Sequence, residues 1–295
     1  MAQEGASRCP AFGAPDVSLS TGRIVAYQGE PGSYSEEGVL ALFPDAETRA
    51  LGSLRKVFEA VEVGRVDLGL VPIDNSQAGS INETYDLFLK HGLHLVGETV
   101  VRVDHCLLAV PGTLIDDIDV VISHPQAVAQ CEEFISALDA SIRAEYDTAG
   151  SAKRIADEKL ERTAAIASRR AAELYGLEVL AEKIQTYPDN HTRFGVLSRS
   201  PGSLSEPDKS SLVFGVGHVA GSLYRCLGAF AERHLSLSKL ESRPRTGRPW
   251  EYVFYVDVEA AADDPAMIEA LGEVSEHSTF TRLLGTYRSA FRSTS

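Results

Sequence analysis

Cysteine is scarce and scattered in this chain: only Cys9, Cys106, Cys131 and Cys226 occur in 295 residues, with no Cys-x-x-Cys pair. No histidine stands beside them at metal-ligand spacing, so a zinc site or disulfide framework has little support, and a reducing cytoplasm is the expected location. Long apolar runs are missing as well. Nowhere do about 18 apolar residues follow one another, and no membrane span is expected. The first 22 residues hold Glu4, Arg8 and Asp16 among small residues in place of the apolar stretch of a secretory signal, and they read as a flexible tail. No Gly-x-Gly-x-x-Gly follows the first predicted strand, which argues against a nicotinamide enzyme. Positive charge is the last deficit: 28 Lys and Arg face 42 Asp and Glu, a formal net charge of -14. A field of that sign repels phosphate, so neither nucleic acid nor an anionic membrane is an expected partner. An anionic small molecule would need a locally positive pocket.

What is present is an ordinary globular composition, 44% apolar and 24% charged, in a length that suits two domains. Residues 23–27 read as a strand, broken by Gly29, Pro31 and Gly32 ahead of a helix over 36–42. Ser53 is a plausible N-cap for a helix in which Leu54, Val57, Phe58 and Val61 form one stripe and Gly64 the stop. Strands over 66–72, 94–103, 105–110, 120–122 and 164–167 are separated by helices. Those helices carry Tyr85 and Phe88, then Val128 to Leu138 as one stripe, then Ile155 and Leu160, and last a segment from Ser168 to Gly176. Such alternation predicts α/β layers with mainly parallel pairing.

The pattern changes after the breaker-rich stretch 201–209, which reads as a linker. Strands at 212–216, 235–242, 252–258 and 280–286, a helix with Leu223, Cys226 and Phe230, and a second one opened by Asp264-Pro265 give the order βαββαβ. In roughly 80 residues this is a ferredoxin-like arrangement.

Four polar turns share one grammar: a strand ends, and residues 29–35, 74–80, 123–126 or 147–151 open a helix. Helix starts offer unpaired N–H groups and partial positive charge, so several converging on one cleft would bind a carboxylate-rich ligand inside an acidic protein. Taken singly, each is more often a plain N-cap. Thr192-Arg193-Phe194 differs, because a turn before a strand needs no cap, and a hydroxyl beside a guanidinium suits ligand handling. The plainer reading is a surface arginine paired with a carboxylate and a core phenylalanine. His124 reads as a hydrogen-bonded turn histidine at least as readily as a base. The basic run 243–248 reads as a solvated hairpin loop or a small-anion contact.

Gly29-Glu30-Pro31-Gly32-Ser33-Tyr34-Ser35, Val71-Pro72-Ile73-Asp74-Asn75-Ser76, Ser123-His124-Pro125-Gln126 with Gln130-Cys131, Asp147-Thr148-Ala149-Gly150-Ser151-Ala152, and Asn190-His191-Thr192-Arg193-Phe194 follow one another along the chain. In that order they resemble the prephenate dehydratases. Glu241-Ser242-Arg243-Pro244 within the βαββαβ part resembles the amino-acid-sensing ACT domain that follows the catalytic domain there. The resemblance implies a two-lobed α/β catalytic domain over 23–200, like a type II periplasmic binding protein with its active site between the lobes, then a linker over 201–209. An ACT domain over 210–288 and a tail over 289–295 complete the chain. It implies decarboxylating dehydration of prephenate to phenylpyruvate, without metal or organic cofactor.

On the family pattern Thr192 would donate to the departing hydroxyl and Arg193 would anchor a carboxylate or order the pocket. Asn75, Ser76, Ser123, Gln130, Thr148 and Phe194 would line it. Phenylalanine would bind Gly221-Ser222-Leu223 and Glu241, Ser242, Arg243 and Pro244 at a subunit interface, implying a homodimer or homotetramer. The family's Gly-Ala-Leu reads Gly221-Ser222-Leu223 here, and its Asn-Leu-Thr reads Ser236-Leu237-Ser238. Arogenate dehydratase, the same chemistry on a substrate with an amino group, is the near alternative. A non-catalytic amino-acid-sensing binding protein is the distant one.

Overall fold

A computed structural model describes residues 22–245 and 251–291. They form two compact units, one chiefly of residues 20–93 and 98–199, the other chiefly of residues 200–289. The expected tail over 1–22, apart from its last residue, and positions 246–248 of the basic run lie outside the described residues.

The first unit opens with β1 (Ile24–Gln28), α1 (Tyr34–Leu42), β2 (Glu47–Leu51), α2 (Leu54–Glu62), β3 (Leu68–Asn75), β4 (Gly79–Ser80), α3 (Asn82–Lys90) and β5 (His94–Arg102). It continues with β6 (Cys106–Ala109), β7 (Val120–Ser123), α4 (Pro125–Gln130), α5 (Glu132–Ser136), β8 (Ser141–Ala144), α6 (Thr148–Glu158), β9 (Thr163–Ala167), α7 (Arg169–Tyr175), β10 (Glu178–Glu182) and β11 (His191–Ser198). Local chemistry sets most helix starts. Ser33, Ser53, Asp147 and Ser168 each accept a backbone N–H from the first turn, which replaces a bond the helix cannot make for itself. Gly176 closes α7 with a left-handed φ of 67°, a conformation that costs a Cβ-bearing residue about 1 kcal/mol or more.

Two sheets make two lobes. One runs β2-β1-β3-β11-β5 with β4 on β3, and the other runs β10-β6-β9-β7-β8. In both, β1–β2, β1–β3, β7–β8 and β7–β9 are parallel, while β11 joins β3 and β6 joins β9 antiparallel. The strand order is therefore the same in each lobe, with one reversed strand delivered by the chain as it arrives from the other lobe. The sheets are mixed, where alternation alone predicted mainly parallel pairing. The two crossings run from β5 to β6 and from β10 to β11, and they are tied together. Val103 N–H donates to Asn190 O at 2.8 Å, Ile184 N–H to His105 O at 3.0 Å, and His105 N–H to Gln185 Oε1 at 3.0 Å.

Apolar side chains fill each lobe: Val25, Val57, Phe58, Leu70, Val71 and Val196 in the first, Leu107, Leu108, Val121, Ile155 and Ile166 in the second, all fully buried. The stripe Val128 to Leu138 is one periodic run in the sequence but two short helices in space. Cys131, at φ -112° and ψ 20°, leaves helical geometry between α4 and α5.

The second unit contains β12 (Lys209–Gly215), α8 (Ser222–Ala231), β13 (Leu237–Pro244), β14 (Tyr252–Val258), α9 (Pro265–His277) and β15 (Phe280–Tyr287). Its antiparallel sheet runs β13-β14-β12-β15, the ferredoxin-like order. Leu212, Phe214, Phe230, Val256, Met267 and Val274 pack between the sheet and the helix pair.

Candidate active site

A cavity of about 360 Å³ opens in the first unit, within the size range of small-molecule sites. Elements of both lobes line it. Gly29, Ser33 and Tyr34 come from the start of α1, Ile81 and Glu83 from the start of α3, His124 and Gln126 from the start of α4, and Asp147 and Thr148 from the start of α6. All four polar turns singled out in the sequence thus meet at one place. Helix starts bring first-turn N–H groups and partial positive charge to a wall that also carries Glu83 and Asp147. Among the described residues no lysine or arginine lines the cavity.

Thr192 lines this cavity near the head of β11. Its Oγ1 accepts a hydrogen bond from Asn75 Nδ2 at 3.0 Å. Asn75 is held in turn. Its Oδ1 accepts from Gln77 and Ala78 N–H at 3.0 and 2.8 Å, which fixes the amide nitrogen toward Thr192 and toward Asn190 Oδ1 at 2.8 Å. Because Asn75 donates, the threonine keeps its own proton to give to something in the cavity.

Arg193 sits on the other face of the strand, as the pleat requires of a neighbour. It does not line the cavity. Its guanidinium meets Asp74 Oδ2 at 2.5 Å and Glu98 Oε2 at 3.0 Å, with all but 9% of its side chain buried. A carboxylate-anchoring role is not what this placement offers. The arginine braces β11 against β3 and β5, and so orders the wall on which Thr192 stands.

The remaining expected residues divide. Asn75, Gln130 and Thr148 line the cavity. Ser123 does not: it is fully buried and gives its hydroxyl proton to Ile166 O at 2.7 Å, a bond between neighbouring strands β7 and β9. Phe194 is a core residue, 2% exposed. The register shift between Arg193 and Phe194 puts an irregularity there that re-aims the strand. Ser76 is exposed and cross-links the turn after β3 to the head of β11, donating to Asp189 O and accepting from His191 N–H.

Further groups complete the lining, and of these His105 and Tyr146 were not singled out in the sequence. Tyr34 Oη lies 3.0 Å from His105 Nδ1 and donates to Asp104 O at 2.8 Å, while His105 Nε2 lies 2.9 Å from Gln130 Oε1. Burial holds His105 below the usual histidine range. Asp147 is pushed up, first by burial and then by the charge of Glu30 beside it. Tyr146 reaches across the rim to donate to Gly52 O at 2.9 Å. His124 is a cap, its Nδ1 accepting from Gln126 N–H at 3.1 Å. A lone histidine at the head of an apolar run, as His105 is, gives no signal in sequence.

In the second unit Gly221, Ser222 and Leu223 line a separate cavity of about 460 Å³ with Val219, Tyr224, Tyr252 and Phe254. Glu241 to Pro244 do not line it. They belong to the adjacent strand, where Ser242 pairs with Phe254 and Pro244 with Tyr252.

A two-lobed α/β fold with a polar cavity walled by helix starts, accompanied by a ferredoxin-like unit, defines a class of two-part small-molecule enzymes. The family model for prephenate dehydratase matches residues 25–202, and that for the ACT domain matches residues 210–276. Arogenate dehydratase 1 of Petunia hybrida is 45% identical over 281 residues, covering 89% of this chain and 66% of that protein. The chloroplastic arogenate dehydratase/prephenate dehydratase 2 of Arabidopsis thaliana is 44% identical over 274 residues, 89% of this chain and 72% of its own. The chain thus spans about two thirds of the length of these plant relatives. Among solved structures, the prephenate dehydratase of Arthrobacter aurescens in complex with L-Phe superposes with a TM-score of 0.83 at 30% identity, covering 90% of each chain. The chain belongs to the prephenate dehydratase family and carries its ACT domain. The expected cytoplasmic location is overturned by these relatives. Relatives 44% and 43% identical to the chain are themselves chloroplastic, so a cytoplasmic location does not follow for this family.

Proposed function

We propose that the chain converts prephenate to phenylpyruvate, with catalysis in the 23–200 part and phenylalanine feedback through the 210–288 part. The observation that carries this is the Thr192 hydroxyl, aimed by a fixed Asn75 amide at a cavity ringed by helix starts. The reaction removes the 4-hydroxyl and the ring carboxylate together: the bond to the carboxylate breaks toward the ring, carbon dioxide leaves, and hydroxide departs as water after taking a proton. Aromatisation drives the step, so the protein needs to hold two carboxylates and supply a donor. A threonine hydroxyl is a weak acid, and positioning must provide much of the rate. Gln130 and Thr148 with the helix starts bind the dianion through neutral donors and N–H groups, while Asn75, whose amide protons go to Asn190 and Thr192, holds the threonine in place. That avoids trapping it in an ion pair.

Arogenate, which carries an ammonium group, is favoured as a second substrate by Glu83 and Asp147 in the cavity wall and by the absence of lysine and arginine from it among the described residues. Phenylalanine regulation is supported by the cavity at Gly221 to Leu223. Its separation from Glu241 to Pro244 within one chain is what a site completed by a second copy would show, in keeping with a homodimer or homotetramer. Parallel assays of purified protein on prephenate and arogenate, with and without phenylalanine, test the reading. Turnover of at least one substrate is expected, and inactivity on both would overturn it.

A further inference from the structure

His105 takes no part in the reaction above, yet it is buried beside the cavity at the first crossing between lobes, 2% exposed. Its ring is gripped at both nitrogens, by Gln130 Oε1 at 2.9 Å and by Tyr34 Oη at 3.0 Å. An amide oxygen only accepts, so the proton between His105 and Gln130 belongs to Nε2. Burial keeps the ring neutral, which leaves Nδ1 as an acceptor, and the one proton of Tyr34 Oη is then shared between Nδ1 at 3.0 Å and Asp104 O at 2.8 Å. The backbone of Gln130 is pinned as well, its carbonyl accepting from Thr186 N–H at 2.8 Å. With the oxygen of its side chain committed to His105, the amide nitrogen of Gln130 is the end left to the cavity that this residue lines.

The opposite arrangement is chemically complete too. If the ring proton stood on Nδ1 and were given to Tyr34 Oη, the tyrosine would donate to Asp104 O, Gln130 would turn over to donate to Nε2, and its oxygen would face the cavity. The two arrangements present opposite ends of one amide to the ligand. Only the first suits an anion.

We propose that His105 is a positioning residue: in its Nε2–H form it locks the Gln130 amide with the nitrogen toward the cavity, supplying a neutral donor to the substrate carboxylate or leaving oxygen. The inference rests on the dehydratase reading, which makes the ligand anionic. It accounts for a histidine placed where it cannot act as a base, since both nitrogens are already engaged.

The test is a double-mutant cycle in the full-length protein, measuring kcat and KM on prephenate and arogenate with thermal melting as the folding control. Asn at position 105 withdraws the donor from the Nε2 position, whereas Gln keeps one there. His105→Asn should lower kcat/KM about 10- to 100-fold, the scale of a hydrogen bond to a charged group. His105→Gln should recover most of that loss. In a Gln130→Ala background, His105→Asn should cost less than about threefold, because its effect is already gone. Gln130→Glu leaves the histidine untouched but turns an oxygen to the cavity, and should raise KM at least tenfold. This variant decides the matter even where His105→Asn fails to fold. Additive losses in the cycle, no rescue by Gln, or an unchanged KM in Gln130→Glu would overturn the inference while the enzyme remains a dehydratase. A wild type inactive on both substrates would overturn the dehydratase reading and this inference with it.

Discussion

The two cavities of this protein are built on opposite plans. In the first unit several polar side chains that face the ligand space are held by neighbours: Thr192 by Asn75, Asn75 by two backbone N–H groups, and Gln130 by His105. The strand beneath is braced by Arg193 between two carboxylates. In the second unit the cavity is walled by the turn 216–221 and by side chains as exposed as Val219 and Tyr224, at 67% and 79%. A site for chemistry needs donors fixed before the substrate arrives. A sensing site gains from being unfinished, because the ligand or a second chain then changes it when it binds.

Removal of the brace should have the largest effect on the first plan. Arg193→Ala leaves Asp74 and Glu98 without their shared cation and should destabilise the protein by about 3–5 kcal/mol in urea unfolding. A loss of activity with unchanged stability would instead argue for direct substrate contact. Next comes Asn75→Leu, which frees Thr192 to rotate and strands two backbone N–H groups. We expect kcat to fall about 10²-fold with a cost of about 1–3 kcal/mol in stability. In the second unit, phenylalanine should inhibit the wild type, and Gly221→Val should blunt that inhibition about tenfold. The residue sits at φ 83°, where a branched side chain is strained. Inhibition unaffected by this change would place the amino-acid site elsewhere.

Asp147→Asn should have the smallest effect. Asn caps a helix as well as Asp does, so α6 should persist. The raised pKa of Asp147 means that its protonated form is favoured in the folded protein. Any stability it contributes is present below the unfolded carboxylate range and is lost as pH rises through the raised value. The variant should therefore gain stability relative to wild type across that rise, and its KM for prephenate should fall several-fold above the raised value, where the substitution removes a negative charge from the wall. A KM that rises would show that the carboxylate is needed, as an ammonium-bearing substrate would require.

Much of the frame was legible because it is written locally. Ser53 with its stripe, Asp147 before α6, Ser168 and Gly176 around α7, and Asp264-Pro265 before α9 all act within one helical turn of themselves. β2, β8 and β10 were not legible. They sit at sheet edges with no fully buried side chain, β8 exposed throughout, and their existence depends on partners far along the chain. The site was half legible for a similar reason. The four helix starts and Thr192 carry their chemistry in sequence, whereas the parting of Thr192 from Arg193 comes from the pleat and the burial of Ser123 comes from the neighbouring strand. The engagement of His105 with Gln130 is a contact across the fold.

The most direct test of the account is the rate of phenylpyruvate formation from prephenate by Thr192→Val and Thr192→Ser, each confirmed folded by its melting curve. The account predicts a loss of about 10² to 10⁴-fold for the valine, which keeps the shape and removes the donor, and a much smaller loss for the serine. A valine variant that turns over near the wild-type rate would contradict it.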